Sequence, residues 1–469
     1  MQSEDVVATV SILGTDYRVQ SLNMGKKIGQ LARGSAQINP SGSMFQSIGE
    51  ADVESMAKDF NETILNKDDA NPNVSASIAV SGTTVGSFSG ILTSCNATIS
   101  GEGSSSFSVS FAEVNYVLNS MSFSAYPSGA VEMVGALSRS NARHPYTRLT
   151  TTSGDIAQRI KQLYQTAKTH ASKLSQDNPV DKVMAQHREA NKKYEEVFNS
   201  LLDRSDMNPA WLDSVSTQVS MQIDDTIAEI LFDSRLNVWQ ALMRIAHQFN
   251  LIYVGGFEDG GFFTQLDVGE SSCNLKGAGN SVSSRTLQLG RSLEQSIGQI
   301  IALQPLRNPS TLVGVFKDRN GSINKVAGMF PKDKPKPTTG KIIVMRAPSY
   351  FTPSIPPSEG KDDDLDGSTE EEADTTAEDL DEENKKREDA IRENSALVDR
   401  WCEDMYKIMR TRNVKYSVTK PIERAPCELG KAVTVGSFEG SLGSVTLTAS
   451  ISGNSGTAQT TYIVSYIQP

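Results

Sequence analysis

The chain has 469 residues, 45 Lys plus Arg against 56 Asp plus Glu, and a formal net charge of −11; its length predicts two to four domains with real cores. Fourteen acids against Lys361 alone lie between Glu359 and Glu383, so this segment carries −13 and the rest of the chain about +2. A nearly neutral body excludes a dedicated nucleic-acid binder, which needs a basic face to displace counterions from phosphates.

The first 135 residues read as β. Val6, Ala8, Val10 and Ile12 alternate, Gly14-Thr15-Asp16 turns, and Tyr17 and Val19 resume. Ser75 to Val80 reaches the turn Gly82-Thr83, then Val85 to Leu92; a further turn at Gly101-Glu102-Gly103 precedes Phe107, Val109 and Phe111. Between these strands, Phe45 to Leu65 has helical spacing in Ile48, Val53, Met56, Phe60 and Ile64. Residues 155–203 predict two antiparallel helices: Ile156, Ile160, Leu163, Tyr164 and Ala167 make one stripe, Asn178-Pro179 breaks it, and Val183 to Leu201 makes the second.

Residues 224–268 form a helix–helix–hairpin unit. Val238, Trp239, Leu242, Ile245, Ala246 and Phe249 share one helix face, and Leu251–Val254 and Phe262–Val268 flank a Gly-rich turn. Residues 286–316 and 340–350 are strand-like around the turn Asp318-Arg-Asn-Gly321. The acidic run lies inside Pro353 to Asn384 and reads as a surface loop whose deletion from Gly360 to Glu383 leaves the thermal transition nearly unchanged. A helix follows with Leu397, Trp401, Met405, Ile408 and Met409 on one face. The tail returns to β, with Val445–Ile451 and Ala458–Tyr466 as a long hairpin of small, Thr-rich faces suited to pairing between modules. No strict internal repeat stands out.

No catalytic, cofactor-binding or metal-binding residues are predicted. Asp362-x-Asp364-x-Asp366-Gly367 matches the start of a calcium loop, but its twelfth position is Ala373 and prolines stand where the entering helix belongs. His144, His170, His187 and His247 form no metal-ligand spacing. No G-x-S-x-G elbow and no phosphate-binding Gly-rich loop occurs. Trp239 and Trp401 read as core, with a part share in subunit contacts. Cys95, Cys273, Cys402 and Cys427 lie far apart without C-x-x-C pairing, which speaks against a disulfide framework or structural zinc. The start, Met1 to Asp5, has no apolar leader core, and no stretch approaches 18 uncharged apolar residues, so neither a secretory signal nor a membrane span is expected.

Three strings carry a resemblance. Val74 to Phe111, a strand and a Gly turn followed by "GSFSGILTSCNATISGEGSSSFSVSF", resembles the strand–turn–strand run of tail-tube-like barrels. "VWQALMRIAHQFNLIYVGG", from Val238, resembles the helix-then-strand segment of phage baseplate hub proteins. "NVKYSVTKPIERAPCELGKAVTV" and "GSVTLTASISGNSGTAQTTYIVSYIQP" resemble their closing section. The chain thus resembles a tail hub protein of a contractile-tailed phage or related injection system, over about two thirds of its length.

The resemblance implies an α+β, mainly β fold of two tail-tube-like antiparallel β-barrel or sandwich modules, with helical insertions and a small helix–helix–hairpin module. The division is residues 1–150, first tube-like domain; 151–205, helical hairpin; 206–280, small α+β module; 281–350 with 414–469, second tube-like domain; 351–384, acidic loop; 385–413, helix. It implies no enzyme and no cofactor but a homotrimer, in which three chains with two modules each match a sixfold tail tube to a threefold spike. Its partners would be the tail tube protein, the central spike and other baseplate proteins, with DNA passing through the channel and no stable membrane insertion. It would be assembled in the bacterial cytoplasm and end in the virion tail. The competing readings are a tail-associated hydrolase of cell-wall glycan or peptide, and an extracellular β-rich adhesin.

Overall fold

Alternation decides the first strand: Val6, Ala8, Val10 and Ile12 are buried on one side of it while Val7, Thr9 and Ser11 face outward. In the computed structural model, residues 5–38 (without 13), 73–121 (without 100–104), 154–174, 192–266 (without 216, 232 and 234), 273–275, 284–288, 297–305, 324–332, 340–348, 396–409, 415–422, 427–435, 438–452 and 455–466 are described, together with Glu54, Ser55, Lys58 and Glu62. Those last four are helical, and the rest of the helix expected over Phe45 to Leu65 lies outside the described residues, as do the turn at Asp318, the acidic loop and the expected helix break at Asn178-Pro179.

The chain divides into two units: residues 1–209, 227–291 and 410–469, and residues 210–226 with 292–409. The first is built on a 13-stranded sheet. Its N-terminal strands are β1 (Val6–Ile12), β2 (Thr15–Arg18), β3 (Ser21–Lys27), β4 (Gln30–Ile38), β5 (Asn73–Val80), β6 (Thr83–Ile99) and β7 (Ser105–Ala112). After these come helices Ile156–Leu174, Lys192–Arg204, Thr217–Leu231 and Val238–Gln248, and the separate hairpin β8 (Leu251–Val254) and β9 (Phe262–Gln265). Next are β10 (Cys273–Asn274), β11 (Ser284–Gln288), β12 (Ile297–Pro305), β13 (Asn324–Phe330), β14 (Lys341–Arg346), a helix over 396–409, β15 (Lys415–Pro421), β16 (Ala432–Val435), β17 (Phe438–Ser452) and β18 (Ser455–Tyr466). The fold is α+β and mainly β.

The large sheet runs β11-β15-β18-β17-β3-β4-β7-β6-β5-β1-β2, with β16 on β17 and β10 on β16. Its inward residues share one core, in which Val10, Met24, Ile78, Phe107 and Phe111 meet Val418, Val445, Leu447 and Tyr462. Gly86 makes room there: a Cβ on it would come 2.8 Å from Leu447 and 3.6 Å from Met24. The rings of Phe88 and Phe111 meet edge to face at 4.8 Å.

The expected grouping of 281–350 with 414–469 is divided. β11 pairs β15 in the large sheet, whereas β13, β12 and β14 form a three-stranded sheet of their own in the second unit. Alternation marks a strand but not its neighbour, so periodicity could not separate the two sets. In that unit the 396–409 helix lies on the small sheet. Gly328 admits Val398, the Asp399 carboxylate accepts from the Met329 amide at 3.0 Å and pairs with Lys332 at 2.7 Å, and Phe330 meets Tyr406 at 5.2 Å. Trp401 is buried there, as its stripe predicts.

Helix Val238–Gln248 opens on a capping box in which Asn237 accepts from the Gln240 amide at 2.8 Å and Gln240 accepts from the Asn237 amide at 3.1 Å. Trp239 is half-buried, edge-on to Tyr253 of β8 at 4.7 Å. Among the described residues no helix is long and apolar enough to cross a membrane.

Candidate assembly site

The sheet contains the same arrangement twice. In chain order β3, β4, β5, β6 and β7 are matched by β11, β15, β16, β17 and β18. In the sheet, β3-β4-β7-β6 is matched by β11-β15-β18-β17, with β5 on the first part of β6 and β16 on the first part of β17. The irregularities agree as well. The β6–β7 register shifts between Leu92 and Ser94, and the β17–β18 register shifts between Leu442 and Ser444. All pairs in each set are antiparallel.

This correspondence uncovers a repeat in the sequence. Thr84-Val-Gly-Ser-Phe-Ser-Gly-Ile-Leu-Thr-Ser94 and Thr434-Val-Gly-Ser-Phe-Glu-Gly-Ser-Leu-Gly-Ser444 agree at eight of eleven positions, 350 residues apart. The expectation of no internal repeat is therefore corrected. One shared glycine has one shared cause: a Cβ on Gly90 would run into the carbonyl oxygen of Ala112, and a Cβ on Gly440 into that of Ser465. Ala112 and Ser465 occupy matching places, each next to the residue facing the bulge.

The two sets are joined by a single strand pair. β17 runs antiparallel to β3 over seven residue pairs, from Ser444 opposite Lys27 to Ser450 opposite Ser21. Inward of it, Val445, Leu447 and Ala449 are buried with Leu22 and Met24. Outward, polar rows cross the junction: Gln459, Thr448, Asn23, Ser35, Ser110 and Ser94 face one another across six strands, and Thr457, Ser450, Ser21, Gln37, Ser108 and Asn96 form the next row. Every one of these residues is exposed or half-buried, and neither row carries a charge. Lys27 and Arg33 are exposed toward the β3–β4 turn.

A buried polar cluster anchors the β8–β9 hairpin to this sheet. Glu113 follows β7 and is fully buried. One carboxylate oxygen accepts from the Tyr253 hydroxyl, the other from the Gly256 amide at 2.8 Å. Asn115 donates to the Tyr253 oxygen at 2.8 Å and to the Gly261 carbonyl at 3.0 Å, and the Gly29 amide donates to the Tyr253 carbonyl at 2.7 Å. Burial pushes the Glu113 carboxyl up to about 7, against the hydrogen bonds from Tyr253, Gly256 and Ala32 and the charge of Arg204. Burial likewise lowers Lys26, against the carboxylates of Glu428 and Glu113. These groups fix a module in place; the cluster is a structural joint.

The cysteine expectation is also corrected. Cys273 and Cys427 form a disulfide across 154 residues, with Cα atoms 5.8 Å apart. The short parallel pair β10–β16, with Cys273 opposite Val433, brings the two sulfurs together, and sequence spacing cannot reveal such a pairing. Cys95 and Cys402 are free thiols; burial raises the first to about 11 and the second, helped by Asp399, to about 12, so neither is a ready nucleophile. His247 is exposed in the last turn of its helix, His170 lies in helix Ile156–Leu174, and His144, His187 and Asp362 to Gly367 fall outside the described residues. Among the described residues no group of three His, Cys, Asp or Glu could hold a metal ion.

No family model matches the chain, and no curated protein matches it. The solved structures it is similar to include a tail protein from Neisseria meningitidis, at 10% identity and a TM-score of 0.45, covering 98% of this chain and 96% of that one. Another is a 43 kDa tail protein of prophage MuSo2 from Shewanella oneidensis, at 10% identity and a TM-score of 0.44, covering 99% and 98%. A third is an Escherichia coli component of the type VI secretion system described as structurally similar to bacteriophage T4 tail proteins, at 6% identity and a TM-score of 0.37, covering 98% and 77%. These are distant likenesses, and no residue role passes from those proteins to this chain.

Proposed function

We propose that the chain is the structural hub of a phage tail baseplate, a homotrimer that fits a sixfold tail tube to a threefold central spike and closes the channel through which DNA leaves. The observation that carries this reading is the duplicated strand set with its single β17–β3 junction. A chain holding two equivalent wall modules side by side presents six of them as a trimer, so a threefold assembly meets a sixfold one without a second protein. The role asks for shape and edge pairing, with no chemical step.

The outward polar rows suit the lining of such a channel. Neutral hydroxyls and amides offer a passing polyanion no ion pairs, so nothing holds it by counterion release. The tail tube protein, the spike and other baseplate proteins would be its neighbours, in a virion tail put together in the bacterial cytoplasm.

Light scattering on the purified protein tests this. A mass of three chains of 50.8 kDa is expected. A monomer at micromolar concentration would overturn the hub reading in favour of a solitary, enzyme-like protein.

A further inference from the structure

The two strand sets differ in what lies beyond their bulges. Past its bulge β17 is paired on both edges, by β18 and by β3. Past its bulge β6 continues from Ser94 to Ile99 along β7, while β5 ends opposite Ile91. Among the described residues no strand pairs that second edge of β6. Ser94, Asn96, Ala97 and Thr98 are exposed. The stretch carries no charge and no proline, the usual devices that keep an open edge from pairing. Its pattern, Ser-Cys-Asn-Ala-Thr, follows that of Ser444-Val-Thr-Leu-Thr448, which is paired. The strand matching β3 is β11, and among the described residues β11 pairs only β15.

We propose that these two edges meet between copies: β6 from Asn96 to Ile99 in one protomer pairs antiparallel with β11 of a second copy of this chain. This rests on the trimeric hub reading and adds the contact that would close it. The in-chain junction sets the register. Thr448 faces Asn23 there. Thr98 is the counterpart of Thr448, four residues past each bulge. Thr286 is the counterpart of Asn23, because Asn23 faces Ser35 and Ser110 in turn, while Thr286 faces Ser417 and Ile463. Ser110 and Ile463 are both the first residue past the bulge. Thr98 therefore faces Thr286, Ala97 faces Leu287, and Asn96 faces Gln288. In-chain and between-chain junctions then alternate around a closed sheet.

Facing residues on antiparallel strands lie about 4.5–5.5 Å apart at Cα, within reach of a disulfide. The test is the pair Thr98→Cys with Thr286→Cys in a Cys95→Ser background, together with each single substitution. A trimer by light scattering, with mild oxidation linking the paired variant into covalent dimers and trimers and the single variants staying unlinked, is the expected result. A trimer in which the pair stays unlinked would overturn this edge pairing and leave the hub trimer standing. A monomer would overturn both. Hydrogen exchange on the unaltered trimer gives a second reading that needs no variant. Among the amides of 96–99, those turned away from β7, which only the proposed partner strand can pair, should exchange as slowly as those in 444–450, about 100-fold or more below free peptide; exchange of these at the free rate would overturn the pairing.

Discussion

Glu113 is a fully buried carboxyl group that accepts from the Tyr253 hydroxyl and the Gly256 amide. Its folded value of about 7 lies above its ordinary 4.5, so the folded protein binds a proton more tightly than the unfolded chain. The stabilisation is complete below pH about 4.5 and is lost as pH rises through about 7. The shift corresponds to roughly 3 kcal/mol across that window. Thermal melting from pH 4.5 to 8 should show stability declining toward the upper end from this group, and Glu113→Gln should flatten that part of the profile. An unchanged slope in the variant would mean that a group elsewhere sets it. None of this was legible in the sequence, where Glu113 is one acid among 56 Asp plus Glu. Its burial follows from the docking of Tyr253, 140 residues away.

At the scale of elements, alternation and helical stripes located β1, β7, the β8–β9 hairpin and helix Val238–Gln248, because each buries one face and the pattern reports that burial. The repeat was also written in the sequence, as T-V-G-S-F-x-G-x-L-x-S at Thr84 and Thr434, yet its meaning needed the sheet order. Its glycine is a steric requirement at both copies. Gly90→Ala and Gly440→Ala should each destabilise the fold by about 1–3 kcal/mol, since the added methyl must displace a neighbouring backbone carbonyl. Denaturant melts check this; a neutral result at either site would deny the equivalence of the two strands. The disulfide belongs to this scale as well. By closing a loop across 154 residues it contributes up to about 5 kcal/mol by chain entropy. A reducing agent, or Cys273→Ser, should lower the melting temperature by several degrees, and no change would show that the bond is absent in solution.

For the whole molecule, the strands were legible and their partners were not. β11 and β12 are nine residues apart in sequence, yet one joins the large sheet and the other the small one. The expected module pairing of the C-terminal hairpin is present within the chain, where β17 takes β3. The central claim is that each chain supplies two equivalent wall modules and three chains make the ring. Electron microscopy of the purified protein, viewed down its symmetry axis, tests this most directly. The account expects a ring of six similar wall lobes around an open channel, related by threefold symmetry. A ring of three lobes, or separate particles with one barrel and no channel, would contradict it.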